Sequence, residues 1–132
     1  MQSIETDLSF SSAGDVHRAD LHRPTWGEAP WPCAVFVHGG AFHRDDKASE
    51  RSTIISGLLA DRGIATLSIN YPLSEGAHGA ARWTAWPANL LAVAAAVQFV
   101  REQGADHGLD AHRLALIGTS AGGTLALLAG FG

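Results

Sequence analysis

Cysteine is almost absent from this sequence. Its 132 residues contain only Cys33, which excludes an internal disulfide. A chain without disulfides is typical of a reducing compartment, so we expect a cytoplasmic protein. Cys33 stands at the start of an apolar segment, which indicates a small core residue and not a redox site. The acidic N-terminus has no long apolar run, which argues against a signal peptide.

Charge is also scarce. Charged residues make up 17% of the chain, the net charge is -4, and acidic and basic side chains are interspersed. Without a basic patch or a charge run, we expect no nucleic-acid partner. No apolar stretch reaches the length of a membrane span, so none is predicted. Hydrophobic residues, in contrast, make up 46% of the chain, which predicts one globular domain with one core.

Apolar segments with strand and helix patterns alternate along the chain. Strands are predicted at 4–10, 16–22, 33–38, 64–69 and 114–117, and helices at about 48–61, 88–100 and from 121 onward. The first two strands predict an antiparallel hairpin at a sheet edge. The alternation predicts an α/β fold with a mostly parallel sheet flanked by helices, in which ligands bind at the carboxyl ends of the strands. Residues 71–86 show no period, and a long loop of this kind is often functional.

The strand at 114–117 runs into a Gly-x-Ser-x-Gly turn at 118–122 and then into a helix pattern. Strand, turn and helix in this order are the context of a nucleophile elbow. So tight a turn holds Ser120 in a strained backbone conformation, and side chains at positions 118 and 122 would collide with the helix that doubles back past the strand. The stretch therefore predicts Ser120 as a nucleophile. A strand-to-helix turn with a serine N-cap and no chemistry is the alternative.

A second motif, His-Gly-Gly-Ala-Phe at 38–42, ends the first strong strand. Its glycines let bare backbone approach a substrate oxygen, where a Cβ would obstruct it. Acyl transfer through a serine needs such donors for the oxyanion, besides a base and an acid that orients the base. We expect the donors to be the N–H of Ala121 and one or two N–H groups after His38. His38 itself is expected to be a structural hydrogen-bonding residue.

These motifs, the Asn-Tyr-Pro-Leu segment at 70–73 and the Trp-Pro-Ala segment at 86–88 resemble the esterase/lipase branch of the α/β-hydrolase family. The resemblance runs from about residue 16 to the end and extends to hormone-sensitive-lipase-like, feruloyl-esterase-like and kynurenine-formamidase-like proteins. It implies a carboxylic ester hydrolase that acts on a small-molecule ester or amide and uses no cofactor and no metal. It also implies that Gly40 and Ala41 supply oxyanion N–H groups together with Ala121. Family members often have a third glycine where this chain has Ala41.

The end of the chain departs from the family pattern. The family places its acid and its histidine after the nucleophile, but residues 121–132 contain no Asp, Glu or His, and all seven histidines precede Ser120. His43 and His78 fall in loops that could line the site. His17, His22, His107 and His112 are expected to be surface or turn residues. The sequence thus predicts that residues 1–132 are the N-terminal part of a single α/β-hydrolase domain, truncated after the elbow.

Two interpretations remain open. The chain is part of a serine esterase, or it is a non-catalytic relic or interaction module that keeps the sheet and has lost the triad. Phosphate binding at 118–124 is disfavoured because the turn lacks the lysine and the spacing of a P-loop. In both interpretations the apolar strand before Ser120 is an open edge, which we expect to invite pairing with a second copy of the chain and to leave the 132 residues poorly stable alone.

Overall fold

A computed structural model describes residues 2–131 of the chain. The strands are β1 (Gln2–Ser9), β2 (Arg18–Pro24), β3 (Trp31–Val37), β4 (Ala65–Ile69) and β5 (Leu109–Gly118). The α-helices are α1 (Glu50–Ala60), α2 (Ala88–Gln103) and α3 (Ala121–Phe131). Short 3₁₀ helices, Gly79–Trp83 and Gly104–His107, lie on either side of α2. The predicted alternation of strands and helices is therefore observed.

The strands form one mixed sheet in the order β1-β2-β4-β3-β5. β1 and β2 are an antiparallel hairpin, and β2 also pairs antiparallel with β4. β4, β3 and β5 run parallel, with Val37 opposite Ile69 on one side and Gly118 on the other. This pairing places the carboxyl ends of β3 and β5 side by side. The predicted edge hairpin is confirmed. The described sheet is mixed, with two parallel and two antiparallel pairings, rather than mostly parallel, because β2 pairs antiparallel with both of its neighbours.

The central strands are covered on both faces. Residues 33–37 of β3 and all of β4 are buried, which is why these strands read as continuous apolar runs rather than as alternating patterns. Cys33 lies among them, 3% exposed, and burial raises the pKa of its thiol to about 11. Its expected role as a small core residue is confirmed.

Helix α2 presents one buried stripe to the core, formed by Asn89, Ala92, Val93, Ala96, Phe99 and Val100. The helical stretch Gly79–His107 around it is long and apolar enough to cross a membrane by length and composition, and 39% of its most apolar window is buried. Core helices of globular proteins pass the same test. Here α2 packs against β3, β5 and α3, which is the packing of a core helix.

β3 and β5 begin earlier than their apolar patterns indicate. The Trp31 N–H donates to the Gly108 carbonyl oxygen at 2.8 Å, and Trp31 lies opposite Leu109 in the sheet. The register then shifts between Trp31 and Cys33, at the proline that separates them. Residues that precede both apolar patterns therefore pair with each other. Proline cannot donate to the ladder and tolerates such an irregularity.

His17 and His22 are 8% and 3% exposed, so the expectation that they lie at the surface is wrong, although His17 does end a turn, in which its N–H donates to the Gly14 carbonyl oxygen at 3.1 Å. β2 lies inside the sheet, between β1 and β4, and residues 19–22 of this strand are buried although its sequence looks polar. The His17 ring stacks on Phe10 with centroids 5.0 Å apart, and His22 Nδ1 donates to Gln2 Oε1 at 2.8 Å. Burial lowers the pKa of both rings.

β5 is the outermost strand of the sheet in the described part of the chain. Leu114 and Leu116 are only half-buried there, and Leu127 and Phe131 of the adjacent α3 are 61% and 84% exposed. The open apolar edge expected before Ser120 is therefore observed. Its pairing with a second copy of the chain remains a prediction.

Candidate active site

Ser120 stands in the turn that joins β5 to α3, with an exposed side chain and φ of 53°. A residue with a Cβ seldom adopts this left-handed conformation, which costs roughly 1–2 kcal/mol. The Thr119 N–H reaches the Val37 carbonyl oxygen at 3.3 Å, and the Thr124 N–H donates to the Ser120 carbonyl oxygen at 3.2 Å. The turn is thus fixed both to the end of β3 and to the first turn of α3. The strained backbone predicted at Ser120 is observed.

The glycines at 118 and 122 are required by backbone contacts. A Cβ on Gly118 would overlap the Gly122 carbonyl oxygen, and a Cβ on Gly122 would overlap the Val37 carbonyl oxygen. The first collision is the one predicted between strand and returning helix. The second is with the neighbouring strand β3, which the local sequence could not identify. Neither obstacle can move as a flexible side chain would.

The turn after β3 is also in the left-handed region, with φ of 124° at Gly40, 53° at Ala41 and 68° at Phe42. The Gly40 carbonyl oxygen accepts hydrogen bonds from the N–H groups of His43 and Arg44, at 3.0 and 3.1 Å. A Cβ on Gly40 would overlap the Arg44 carbonyl oxygen. The turn is therefore tightly closed, and its backbone geometry leaves little freedom.

The N–H groups of Gly40, Ala41 and Ala121 donate no hydrogen bond to any acceptor within residues 2–131. The Ala121 N–H also opens α3, where the helix dipole is positive. Gly39 brings these groups close to the elbow, because a Cβ built on it would lie 2.9 Å from the Thr119 carbonyl oxygen and 3.3 Å from Ser120 Cβ. Backbone donors without partners and an exposed hydroxyl therefore share one edge of the sheet.

His38 is 2% exposed and fixes the peptide on which this arrangement depends. Its Nδ1 donates to the Gly39 carbonyl oxygen at 2.6 Å, and its ring stacks on Tyr71 with centroids 4.4 Å apart. Because the carbonyl and the N–H of a trans peptide point in opposite directions, this bond turns the Gly40 N–H away from His38. Burial lowers the pKa of His38 and favours its neutral ring. The structural role expected for His38 is the one observed.

Two cavities lie at this edge of the sheet. One, of about 250 Å³, is polar and is lined by residues that include Gly39, Arg44, Ser49, Arg51 and Ser120. The other, of about 320 Å³, is apolar and is lined by residues that include Phe42, Trp83, Trp86, Thr124, Leu125 and Leu128. The long loop at 71–86 thus supplies two tryptophans to the apolar cavity. Sequence reasoning did not single out Arg44 and Arg51, because no period or motif marks them.

The expected histidines are not brought to Ser120. Neither His43 nor His78 lines the two cavities. Among residues 2–131, no histidine or carboxylate forms a hydrogen bond with the Ser120 hydroxyl. Over the same residues, no group of three or more His, Cys, Asp or Glu side chains is placed to hold a metal ion. The described chain therefore supplies an exposed hydroxyl and backbone N–H groups without partners, but no histidine or carboxylate bonded to that hydroxyl. Asp45 lines the same cavity as Ser120 without forming such a bond.

Residues 19–132 match the BD-FAE family model. Two curated relatives from Mycobacterium tuberculosis (strain ATCC 25618 / H37Rv) are Esterase LipC, 35% identical over 101 residues, and Esterase LipQ, 34% identical over 126 residues. These alignments cover 76% and 94% of this chain, but the chain spans only 23% and 28% of those proteins. A solved structure, a truncated form of carbohydrate esterase from gut microbiota, aligns with a TM-score of 0.83 and 26% identity, over 97% of this chain and 43% of that one.

Proposed function

The chain belongs to the BD-FAE family, and from that membership we propose that it is the nucleophile-bearing part of a serine hydrolase of carboxylic esters. The relatives are named esterases, and the structural neighbours are esterases with the α/β-hydrolase fold. The fold and the family resemblance stated from the sequence are therefore confirmed. The chain spans about a quarter of the curated relatives, so the activity of the whole protein is part of the proposal.

The observation that carries the proposal is the contact between the Ser120 elbow and the turn that holds N–H groups without partners. In the proposed reaction, Ser120 Oγ attacks the ester carbonyl carbon. The carbonyl oxygen becomes an oxyanion and accepts hydrogen bonds from the N–H groups of Gly40, Ala41 and Ala121. A base, which we place outside these 132 residues, takes the proton of the Ser120 hydroxyl and gives it to the alcohol oxygen as the bond to that oxygen breaks. Water then hydrolyses the acyl group left on Ser120.

Fixed backbone donors suit this task because they need no reorganisation when charge develops. The bond between His38 and the Gly39 carbonyl oxygen supports the assignment, since it orients the Gly40 N–H. The alanine at position 41 keeps its backbone donor, so the loss of the third glycine common in the family does not remove a hydrogen bond. The cost of the alanine is strain at its positive φ.

We propose that the base and the acid lie outside these 132 residues, in the portion of the relatives that this chain does not span. Without an imidazole to accept its proton, a serine hydroxyl is a weak nucleophile at neutral pH. The isolated chain should then be inactive. The alternative, a non-catalytic relic, is favoured if the complete reading frame encodes no later Asp and His. The cytoplasmic location and the pairing of β5 with a second copy remain part of the proposal.

The test is Ser120→Ala in the protein encoded by the complete reading frame. Hydrolysis of p-nitrophenyl acetate should fall by at least about 10³-fold, since removing the nucleophile of a serine hydrolase removes most of its rate enhancement. Ser12→Ala, in the exposed turn between β1 and β2, is the matched control and should keep its kcat. Activity of Ser120→Ala within about tenfold of the wild type would exclude Ser120 as the nucleophile.

A further inference from the structure

The apolar cavity is connected to the proposed reaction centre by two segments, the turn after β3 and the first turns of α3. Phe42, which forms one wall, directly follows the proposed oxyanion donor Ala41. Thr124 lies on the other side, and its N–H is bonded to the Ser120 carbonyl oxygen at 3.2 Å. Leu128 follows Thr124 after one further turn of α3, on the same side of the helix. A substrate carbonyl held at Ser120 is therefore close to the mouth of this cavity.

The lining offers a ligand almost nothing but apolar surface. Its rings and alkyl groups include Trp83, Trp86 and Leu128, which are 54%, 46% and 43% exposed. Asn89 contributes an amide, but its Oδ1 already accepts the Leu90 N–H at 2.8 Å. Within the described part of the chain, the residues that line the cavity include none with a charged side chain. Large apolar side chains left this exposed around a concavity are the usual sign of a binding surface.

One wall of the cavity is held in place by contacts between aromatic rings and a guanidinium group. The Phe42 and Trp83 rings lie 5.8 Å apart, and the Arg82 guanidinium lies 5.8 Å from the first ring and 5.1 Å from the second. Phe42 has φ of 68°, a conformation that is rare for a bulky residue and that persists only where the surrounding structure enforces it. The chain therefore keeps an aromatic ring at this point despite a backbone cost.

The cavity on the other side of the site has a polar lining with charged side chains, in contrast to the apolar cavity. It contains Ser120 itself, together with Arg44, Ser49 and Arg51. An ester bound at Ser120 thus meets polar, charged groups in one direction and hydrocarbon in the other. The acyl group and the alcohol group of the ester can therefore be distinguished by which of the two cavities each one enters.

We propose that the cavity between Phe42, Trp83 and Leu128 binds the apolar group of the substrate ester and limits its size. This inference rests on the proposed ester hydrolase function. The volume of about 320 Å³ is near the lower end of the range for ligand pockets, about 300–1,000 Å³. At about 30 Å³ for each water-sized unit, it holds a group of about ten non-hydrogen atoms. The preferred ester accordingly has one side that is apolar and of moderate length.

The experiment uses the protein encoded by the complete reading frame. kcat/KM is measured for p-nitrophenyl esters of acetate, butyrate, hexanoate, octanoate, dodecanoate and palmitate, and separately for ethyl, butyl and hexyl acetate. Each buried methylene is worth about fourfold in kcat/KM, so one of the two series should rise at least about tenfold over four methylenes. The acyl series should fall again at dodecanoate if the acyl group occupies the cavity. A rise in the acetate series alone assigns the cavity to the alcohol group.

Leu128→Phe narrows the cavity and should reduce kcat/KM for the longer esters of the rising series at least fivefold, with little change for ethyl or p-nitrophenyl acetate. Leu127→Phe is the matched control, because Leu127 is the adjacent exposed residue of α3 and lines the groove at the β5 edge instead. A flat dependence on chain length in both series, or equal effects of the two variants, would overturn the proposal.

A binding measurement separates this inference from the proposed function. In the Ser120→Ala background, methyl 6-bromohexanoate should quench tryptophan fluorescence saturably, because Trp83 and Trp86 line the cavity. Adding Leu128→Phe should raise the Kd at least fivefold, and adding Leu127→Phe should not. If this binding is observed but the wild-type protein has no esterase activity, only the proposed function is refuted. Esterase activity that depends on Ser120, with no chain-length preference and no quenching, would refute only the inference.

Discussion

Where β3 and β5 end, the chain packs backbone against backbone, whereas the β1–β2 hairpin, beyond its backbone ladder to β4, is also held by a cluster of charged side chains. At the first place, the obstacles to an added Cβ on Gly118 or Gly122 are carbonyl oxygens. At the second, the Lys47 ammonium lies 2.8 Å from Asp20 Oδ1 and 3.0 Å from Asp7 Oδ1. The backbone-packed end carries the proposed chemistry, and the hairpin carries none that we assign.

The difference has a physical reason. Donors of an oxyanion hole must keep their direction, and a backbone N–H in a closed turn has no rotamer to lose. Side-chain contacts such as those of Lys47 can shift by changes of rotamer, which suits a scaffold but not a reaction centre. The comparison predicts that small substitutions reduce the free energy of unfolding strongly at the ends of β3 and β5 and more weakly in the hairpin.

The two outer strands of the described sheet, β1 and β5, differ in how well their open edges are protected from pairing with another chain. β1 is polar and irregular, with a register shift between Glu5 and Leu8 and a positive φ at Asp7. Its Glu5 also faces the Arg23 guanidinium at 3.3 Å. Such features discourage edge-to-edge pairing. β5 has its register shift and its ion pair, between Arg113 and Asp110 at 2.8 Å, near its start, whereas residues 114–117 at its carboxyl end are apolar, incompletely buried and have neither feature.

The largest effect is expected from Gly122→Ala. The added methyl group would overlap the Val37 carbonyl oxygen, and β3 cannot retreat because it is paired on both sides. We expect a loss of at least about 3 kcal/mol in the free energy of unfolding, at the upper end of overpacking effects, or no folded protein. Chemical denaturation followed by circular dichroism measures it.

Gly57→Ala is the matched control for this prediction. Gly57 lies inside α1, and a Cβ there would approach only Gln2 Nε2, at an ordinary contact distance of 3.6 Å. Since alanine favours a helix interior over glycine by about 1 kcal/mol, this variant should be slightly more stable than the wild type. Equal stability of the two variants would break the proposed contrast, because the end of β3 would then be able to adapt.

The sequence predicted the elements whose causes are local. The elbow, its strained serine and its glycines follow from sterics within a few residues, and the central strands follow from their apolar runs. The burial of His17 and His22 could not be predicted, because it depends on contacts with residues elsewhere in the chain, such as Phe10 and Gln2. The pairing of Trp31 with Leu109 and the polar cavity around Arg44 and Arg51 also depend on segments far apart in the chain. Periodicity and turn chemistry carry no information about such contacts.

An intermediate effect is expected from Lys47→Met in the hairpin contacts. It leaves Asp20, 5% exposed, without its cation, and an uncompensated buried charge costs about 3 kcal/mol. Exposure of Asp7 on the other side lets water relieve part of this cost, so we expect about 2 kcal/mol. Adding Asp20→Asn should recover part of the lost stability, since it removes the stranded charge. A double variant no more stable than Lys47→Met would show that packing, and not charge, dominates this contact.

The smallest effect, and the one that tests the hairpin most finely, concerns His17. Its Nδ1 is buried and has no hydrogen-bond partner within residues 2–131, and burial lowers the pKa of its ring. In the unfolded chain the ring takes up a proton below about pH 6.5, while the folded protein resists it. The folded state therefore has its full stability above that pH and loses stability as the pH falls through it. His22 and His38, whose pKa values burial also lowers, act in the same direction.

His17→Phe keeps the stacking on Phe10 and removes both the unsatisfied nitrogen and its titration. We expect its free energy of unfolding at pH 8 to equal or exceed that of the wild type by up to about 1 kcal/mol, and its loss between pH 8 and pH 5.5 to be smaller. His17→Gln, which cannot titrate or stack as a ring, should also show the smaller loss but should be less stable at pH 8. If His17→Phe is markedly destabilised at pH 8, or if its pH dependence equals that of the wild type, the ring has a partner or a role that these contacts do not reveal.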